Sequence, residues 1–301
     1  MFHFPALFLA PDFTEEAVSA GRFRFSRRLW ETSIFDLATL TTKHTLHLPY
    51  QVMDVFLGRC NSEIGVEADK LEDARDHLNA LRLALYSESV SPFIVPFASN
   101  YSVNEYSGIN SRDSKLLRKD LAEGLRDGLT SETGRVEAWP VELSFQCVTL
   151  WDKMNVAAEM FTRAADKADQ WAKVLAACPA ARAFGQAVLS APLVVPQSQS
   201  VLHLWCALES LFPSVSAELS FRVALYLSQM TTTGPDRKRC FEKVKKGYNV
   251  RSRIAHGAKQ EVTVEEWCDA WGIVTDTLDA VMRNGKVPKE DAILDGLFGI
   301  Q

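Results

Sequence analysis

The chain has 301 residues and a formal net charge of −5 at pH 7, with 47% hydrophobic and 24% charged residues. This composition is typical of a soluble globular protein, and the length suits one large domain or two ordinary ones. The net charge gives no reason to expect general affinity for nucleic acids or membranes. No apolar run is long enough to predict a membrane span. The start, MFHFPALFLAP, lacks the basic region of a signal peptide, and the six scattered cysteines indicate a reducing, cytoplasmic compartment.

The first half of the chain, residues 1–150, is predicted to be a mixed α/β region. Phe23 and Phe25 alternate with arginines, which is the period-2 pattern of a strand with one wet face. Residues 46–48 alternate in the same way. Apolar residues recur at three- or four-residue spacing over residues 63–87, which predicts a helix there.

Three further segments complete this region. Residues 89–107 hold prolines, β-branched residues and aromatics, and they are predicted to be strand and loop. Residues 108–134 are polar and contain glycine, so they are predicted to be an irregular excursion with at most a short helix. Apolar residues alternate with polar ones over residues 141–147, which is a strand signal.

The second half, residues 151–301, is predicted to be a helical bundle. The predicted helices are about 152–176, 179–190, 198–212, 216–230, 235–256 and 263–284. Pro179 suits the first position of a helix, and Gly257 suits a left-handed cap. Thr263 and Glu266 have the spacing of a capping box. The expected fold class is therefore α+β and predominantly helical, with a smaller N-terminal α/β part and a boundary near residue 150.

Positive charge is concentrated between Arg237 and Arg253. Eight basic residues face one acidic residue, Glu242, so this segment has a net charge of +7 and the remainder of the chain −12. A basic segment on an acidic body can attract polyanions locally. The more common explanation for such a run is a solvated helix face.

The same predicted helix carries candidate chemistry at its end. Tyr248 and Ser252 lie at four-residue steps before His256 and share a face with it. Arg251 lies about 140° from His256 around the helix, but its side chain is long enough to approach that face. His256 is in the last turn, where the negative helix end favours the imidazolium, and a histidine beside an arginine suits phosphoester chemistry.

The arginine–histidine spacing alone occurs by chance in many proteins. The plain alternative is a histidine whose ring is satisfied by a carbonyl at the helix end, with Arg251 in a surface ion pair. On spacing alone that alternative is favoured.

Two longer motifs favour a functional site over this plain alternative. The first is ALESLF over residues 207–212, and the second is YNVRSRIAHG over residues 248–257. Together they resemble the HEPN superfamily, and specifically its Apea-like group, which pairs an Ala-Leu-Glu-x-Leu-Phe helix with a Tyr-x-x-Arg-Ser-x-x-x-His-Gly helix. The clear resemblance covers about residues 198–285.

The resemblance implies a homodimer of helical bundles in which the arginine and histidine of both protomers meet in a cleft and cleave RNA without a metal. Arg251 and His256 take the catalytic positions, and Tyr248 and Ser252 are supporting residues. Ser252 stands where an Asn, Asp or His is common elsewhere in the superfamily. Glu209 matches the acidic residue of the first helix, where it is either part of the site or a structural partner for an arginine.

The resemblance also implies a role in bacterial defence or in a toxin system, with a phage trigger or a regulatory partner. The basic residues expected to hold flanking phosphates are Arg239, Lys243, Lys245, Lys246 and Arg253. The substrate would be single-stranded or loop RNA, with tRNA among the candidates.

Two hypotheses of different class follow. The first is a metal-independent RNA endonuclease, without a cofactor, that uses the ribose 2′-OH as nucleophile. The alternative is a non-catalytic HEPN module that binds RNA or a partner. A metal enzyme is a weaker third hypothesis, because no cluster of residues has metal-ligand spacing. Replacing Arg251 or His256 is expected to abolish cleavage and leave the melting temperature nearly unchanged.

Overall fold

The computed structural model describes residues 1–28, 56, 58–100, 102, 136–138, 153–215 and 217–298. Four predictions lie outside these residues: the strand at 46–48, the excursion at 108–134, the strand at 141–147 and the boundary near residue 150.

Eight strands occur in the described chain. They are β1 (Phe2–Ala6), β2 (Leu9–Asp12), β3 (Ala17–Ala20), β4 (Phe23–Arg27), β5 (Ser62–Val66), β6 (Phe97–Ser99), β7 (Val136–Ala138) and β8 (Met154–Ala157). Six of them form an antiparallel sheet in the order β3–β4–β5–β1–β6–β7, while β2 and β8 pair in parallel.

Alternation of side chains gives the sheet an apolar face. Phe4 and Phe25 lie opposite Ile64 on the two sides of β5, and all three side chains are fully buried. Residues opposite each other in a ladder point to the same face, so these three form one apolar layer. The strand predicted from Phe23 and Phe25 is confirmed as β4.

Eight α-helices occur among the same residues. They are α1 (Leu71–Ser87), α2 (Ala158–Ala177), α3 (Pro179–Ser190), α4 (Gln197–Ser210), α5 (Leu219–Thr231), α6 (Asp236–Ala255), α7 (Val264–Asn284) and α8 (Glu290–Leu297). A short 3₁₀ turn, Ala191–Leu193, joins α3 to α4. The helices predicted from α3 to α7 are confirmed within a few residues at each end, and Pro179 begins α3 as expected.

The prediction of a helix from residue 63 is wrong for its first part. Residues 62–66 form β5, a central strand that pairs with β4 on one side and β1 on the other. All five residues are buried, so no polar face marks the strand by alternation, and its apolar residues fit the period of the following helix by accident. The helix itself begins at Leu71. Likewise β8 precedes α2, where only a helix was expected.

The chain divides into two compact units. Of the described residues, the first unit includes 1–28 and 153–166, with the sheet, and the second includes 79–89 and 167–298, with the helices from α3 onward. The fold is thus α+β and mainly helical. In the second unit α6 packs against α4, α5 and α7.

Candidate functional site

The C-terminal end of α6 is set by backbone geometry. Gly257 has a φ of +72°, a conformation that favours glycine, and its N–H donates to the carbonyl of Ile254 at 3.0 Å. The N–H of Lys259 then returns to the carbonyl of Arg253 at 3.1 Å. The cap expected from the sequence is therefore confirmed, and it leaves His256 as the residue that directly follows the helix.

A glycine allows α6 to approach α4 closely. A Cβ at Gly247 would lie 2.8 Å from Cζ2 of Trp205, which is fully buried on α4. That distance is shorter than real side chains allow, and the neighbouring atom belongs to a rigid ring. The close approach explains why a glycine stands in the interior of a helix, where it is otherwise unfavourable. It also brings the following turn of α6 onto the end of α4.

Arg251 is held at this contact by a carboxylate and an aromatic ring. Its Nη2 donates to Oε2 of Glu209 at 3.1 Å, and its guanidinium lies over the ring of Tyr248 at 5.4 Å from the centroid. The rings of Tyr248 and Trp205 in turn meet edge to face, with centroids 5.3 Å apart. The structure thus brings together three of the residues singled out in the sequence, Glu209, Tyr248 and Arg251.

This environment favours the protonated forms of Tyr248 and Cys206. Burial, and then the charge of Glu209, raises the pKa of Tyr248 above its ordinary value. Burial and Glu209 raise the pKa of the Cys206 thiol in the same way. Tyr248 is therefore a neutral hydrogen-bond donor near neutral pH, and Cys206 is not an activated thiolate.

Part of the polar capacity of this cluster is not used within the described residues. Nε of Arg251 and Nε1 of Trp205 are buried without a hydrogen-bond partner. Oε1 of Glu209 lies 3.1 Å from Nη2 of Arg251, but it too lacks a hydrogen bond of good geometry. Buried polar atoms are normally paired. The cluster of Trp205, Glu209, Tyr248 and Arg251 therefore has unused hydrogen-bonding capacity next to a charged guanidinium.

His256 lies outside that cluster. Its side chain is exposed. Its backbone N–H donates to the carbonyl of Ser252, a half-buried residue. The helical rise separates the backbones of Arg251 and His256 by about 7.5 Å along the axis. None of the described contacts links the imidazole to Glu209, Tyr248 or Arg251. An exposed imidazole therefore stands beyond a partly buried, paired guanidinium.

The predicted phosphate-binding residues are all exposed: Arg239, Lys243, Lys245, Lys246 and Arg253. Three of them, Arg239, Lys246 and Arg253, are seven residues apart and therefore form one row along the outer face of α6. Lys243 borders this row, four residues after Arg239 and three before Lys246, and its Nζ is 3.8 Å from Oδ2 of Asp276. Lys245 lies over the ring of Phe241 at 5.9 Å.

The segment that follows His256 is tied to the next helix. Thr263 accepts a hydrogen bond from the N–H of Glu266, whose side chain accepts from the N–H of Thr263, so the predicted capping box is confirmed. Nζ of Lys259 donates to Oε1 of Glu266 at 2.6 Å. This bond is the main cause that lowers the pKa of Glu266. It connects the chain just after His256 to the start of α7.

Metal-ligating groups do not cluster in the described part of the chain, which contains no set of three or more His, Cys, Asp or Glu side chains that could hold a metal ion. The cysteines among the same residues are free: Cys60, Cys178, Cys206, Cys240 and Cys268. No helix in these ranges is both long enough and apolar enough to cross a membrane.

Sequence reasoning did not include Trp205 or Gly247 in the site. Trp205 lies four residues before Glu209 and so shares its helix face, which was a usable signal. The contact between Gly247 and Trp205 joins two helices and has no counterpart in local spacing. Comparison with known proteins adds no assignment, because no family model, no curated protein and no solved structure matches the chain.

Proposed function

We propose that the chain is a metal-independent RNA endonuclease of the HEPN type. The observation that supports the proposal is the arrangement at the end of α6: a guanidinium held by Glu209 and Tyr248, followed five residues later by the exposed imidazole of His256. These are the two groups that phosphoester cleavage needs, a cation for the phosphate and a proton-transfer group. The basic face of the same helix is suited to the flanking phosphates.

The proposed reaction uses the ribose 2′-OH as nucleophile. His256 removes the proton of the 2′-OH, and the 2′ oxygen attacks the adjacent phosphorus. Arg251 offsets the charge that builds up on the phosphate oxygens. The bond from phosphorus to the 5′ oxygen breaks, and a second proton donor protonates that oxygen. The products are a 2′,3′-cyclic phosphate and a 5′-OH, and DNA is not cleaved because it lacks the 2′-OH.

The second proton donor is proposed to come from a second copy of the chain. A single Arg251–His256 set contains one proton-transfer group, whereas the reaction moves two protons. A twofold axis near the end of α6 would bring two sets together without further sequence. The proposal therefore includes a homodimer, acting on single-stranded or loop RNA, with tRNA among the candidates. A cytoplasmic role in defence or as a toxin, with a trigger or regulatory partner, belongs to the same proposal.

One observation favours a second candidate function. Arg251 already has an anionic partner in Glu209, and both side chains are mostly buried, with 23% and 20% exposed. A phosphate would have to share or replace that partner. A non-catalytic module that binds RNA or a protein partner through the exposed basic face of α6 would not need Arg251 to be available.

Cleavage assays separate the two functions. Purified protein is incubated with single-stranded RNA in excess EDTA, and the product ends are analysed. The nuclease is expected to give 2′,3′-cyclic phosphate and 5′-OH ends, with no cleavage of DNA of the same sequence. His256→Ala should abolish the products. The matched control is Gln260→Ala, which changes an exposed polar residue outside α6.

Three results would contradict the nuclease: products with a 5′-phosphate, cleavage that requires added magnesium, or full activity of His256→Ala. Binding of RNA without any fragments would favour the non-catalytic module instead.

A further inference from the structure

An exposed aromatic pair lies across α5 and α6. The side chain of Phe221 on α5 is 49% exposed, although large apolar side chains are usually covered. Its ring meets the half-buried ring of Phe241 on α6 edge to face, with centroids 5.7 Å apart and planes at 75°. Phe241 thereby covers part of Phe221, about half of which stays accessible to solvent. We refer to Phe221 and Phe241 as the aromatic pair.

The surroundings of the aromatic pair are positively charged. Nζ of Lys245 lies 5.9 Å above the ring of Phe241, and the exposed Lys238 is one turn before Phe241 on the same side of α6. On α5, Arg222 directly follows Phe221. Its Nε is 4.0 Å from Oε2 of Glu218, and this ion pair is long and exposed to solvent. The exposed Glu218 and Glu242 oppose these charges, so the named residues comprise three cations and two anions.

We propose that the aromatic pair is a stacking platform for an unpaired base of single-stranded RNA, with Lys238 and Lys245 on the adjacent phosphates. Proteins bind single strands without sequence preference by stacking the bases on exposed aromatic rings while nearby cations contact the phosphates. Any base can stack in this way, because every base has a flat aromatic face. This inference rests on the proposed function in that it assigns RNA as the ligand, and it adds where the strand is held away from the reacting phosphate.

The platform lies on the same side of α6 as His256. The fifteen residues between Phe241 and His256 correspond to a rotation of only about 60° and a rise of about 22 Å. Lys245 lies between them, within about 20° of the direction of His256. A single strand stacked on Phe221 can therefore run along α6 to the proposed cleavage position, which requires a substrate several nucleotides long.

Charge argues against a second copy of the chain as the occupant. In a twofold interface the same patch faces itself, so Lys238 and Lys245 would face the same lysines of the other protomer. Such like-charge contacts disfavour association. A polyanion has the complementary charge. We therefore propose that the aromatic pair binds RNA and that the two protomers associate through a different surface.

Binding measurements with an uncleavable strand test the platform. A fluorescein-labelled single-stranded 2′-O-methyl oligonucleotide of twelve or so nucleotides is titrated with protein in EDTA, and its anisotropy is followed. Phe221→Ala is expected to weaken binding about five- to a hundred-fold, the usual effect of losing one base stack. Phe221→Trp should retain the affinity, and the added indole fluorescence should be quenched by the bound bases.

Two controls isolate stacking from charge and folding. Phe298→Ala removes a 77% exposed ring outside the platform and should bind as the wild type does. An oligonucleotide with abasic positions throughout should bind more weakly to the wild type and show little further loss with Phe221→Ala. Circular dichroism is expected to show an unchanged melting temperature for Phe221→Ala, because its side chain is half exposed.

The outcomes distinguish this inference from the proposed function. Wild-type affinity of Phe221→Ala overturns the platform, while cleavage that persists in the same protein leaves the nuclease intact. A loss of affinity in Phe221→Ala with no cleavage by the wild type overturns the nuclease and supports the platform. A wild-type protein that does not bind the oligonucleotide overturns the platform, as does a Phe221→Ala protein that turns from dimer to monomer with unchanged RNA affinity.

Discussion

Arg251 combines a structural and a proposed catalytic role in one guanidinium. Its contacts with Glu209 and Tyr248 hold the side chain in one orientation, which lowers the entropy lost when a phosphate binds. The same contacts mean that removing the guanidinium leaves Glu209 as a mostly buried, unpaired carboxylate. The expectation that Arg251 can be replaced without effect on stability therefore conflicts with its surroundings, whereas for the exposed His256 that expectation stands.

At the residue scale, we predict that Arg251→Ala lowers the free energy of unfolding by about 1–2 kcal/mol, because the pair is intermediate between surface and buried ion pairs. His256→Ala should change it by less than about 0.5 kcal/mol. Chemical denaturation measures both. In a double-mutant cycle, Glu209→Ala and Arg251→Ala should show favourable coupling between the two residues. Additive effects of the two changes would mean that the ion pair contributes nothing.

At the element scale, the packing of α6 on α4 depends on Gly247. We predict that Gly247→Ala destabilises the protein by about 1–2 kcal/mol, because the overlap with Trp205 outweighs the better helix propensity of alanine. Gly272→Ala on α7 is the matched control. A Cβ there meets only the flexible end of Lys243, at 3.5 Å, so this change should stabilise by up to about 1 kcal/mol. Equal effects of the two substitutions in urea denaturation would contradict the packing argument.

A second prediction at this scale concerns the link between Lys259 and Glu266. The pKa of Glu266 is lowered in the folded protein, mainly by its hydrogen bond with Lys259. Its charged form therefore adds stability above the ordinary pKa of 4.5, and this contribution is lost as the pH falls through the lowered value. Glu266→Gln, which can keep the capping box, should be less stable than the wild type at pH 7.

The difference between Glu266→Gln and the wild type should shrink as the pH falls below 4.5, and Lys259→Met should behave similarly. The free energy of unfolding measured from pH 7 to pH 3 checks this. A difference that stays constant over that range would show that the charge of Glu266 is not involved.

The elements also show what sequence can and cannot predict. The C-terminal end of α6 and the N-terminal end of α7 were predicted correctly. Gly257 marks the first and the pair Thr263–Glu266 marks the second, and both are local signals that act within one turn. β5 was missed because its structure is set by pairing with two strands distant in sequence. In the candidate site, Glu209, Arg251 and His256 were identified from the two sequence motifs at residues 207–212 and 248–257. The pairing of Arg251 with Glu209 was left open, because contacts across helices depend on how those helices pack.

The aromatic pair was missed for the same reason. Phe221 and Phe241 belong to different helices, and each fits the apolar pattern of a buried helix face when it is considered alone. Only the packing of α5 on α6 leaves one ring exposed beside the other. Exposure of an apolar residue is thus a property of the tertiary structure, and periodicity alone does not reveal it.

At the scale of the whole molecule, we predict a homodimer at micromolar concentration, measured by light scattering. If both protomers supply a proton-transfer group, a dimer that contains one His256→Ala chain is inactive. When wild-type and His256→Ala chains are mixed and allowed to exchange at constant total concentration, cleavage should then fall with the square of the wild-type fraction. A linear fall, or full activity of a strict monomer, would contradict the shared site.

The charge asymmetry of the chain has a kinetic consequence. One segment of net charge +7 belongs to a chain whose remainder has a net charge of −12. A polyanion is therefore repelled by most of the surface and attracted by α6, so productive encounters are guided to one helix before any contact forms. The association rate constant for RNA should accordingly fall steeply with ionic strength, while the dissociation rate constant, which depends on stacking and close contacts, should change less.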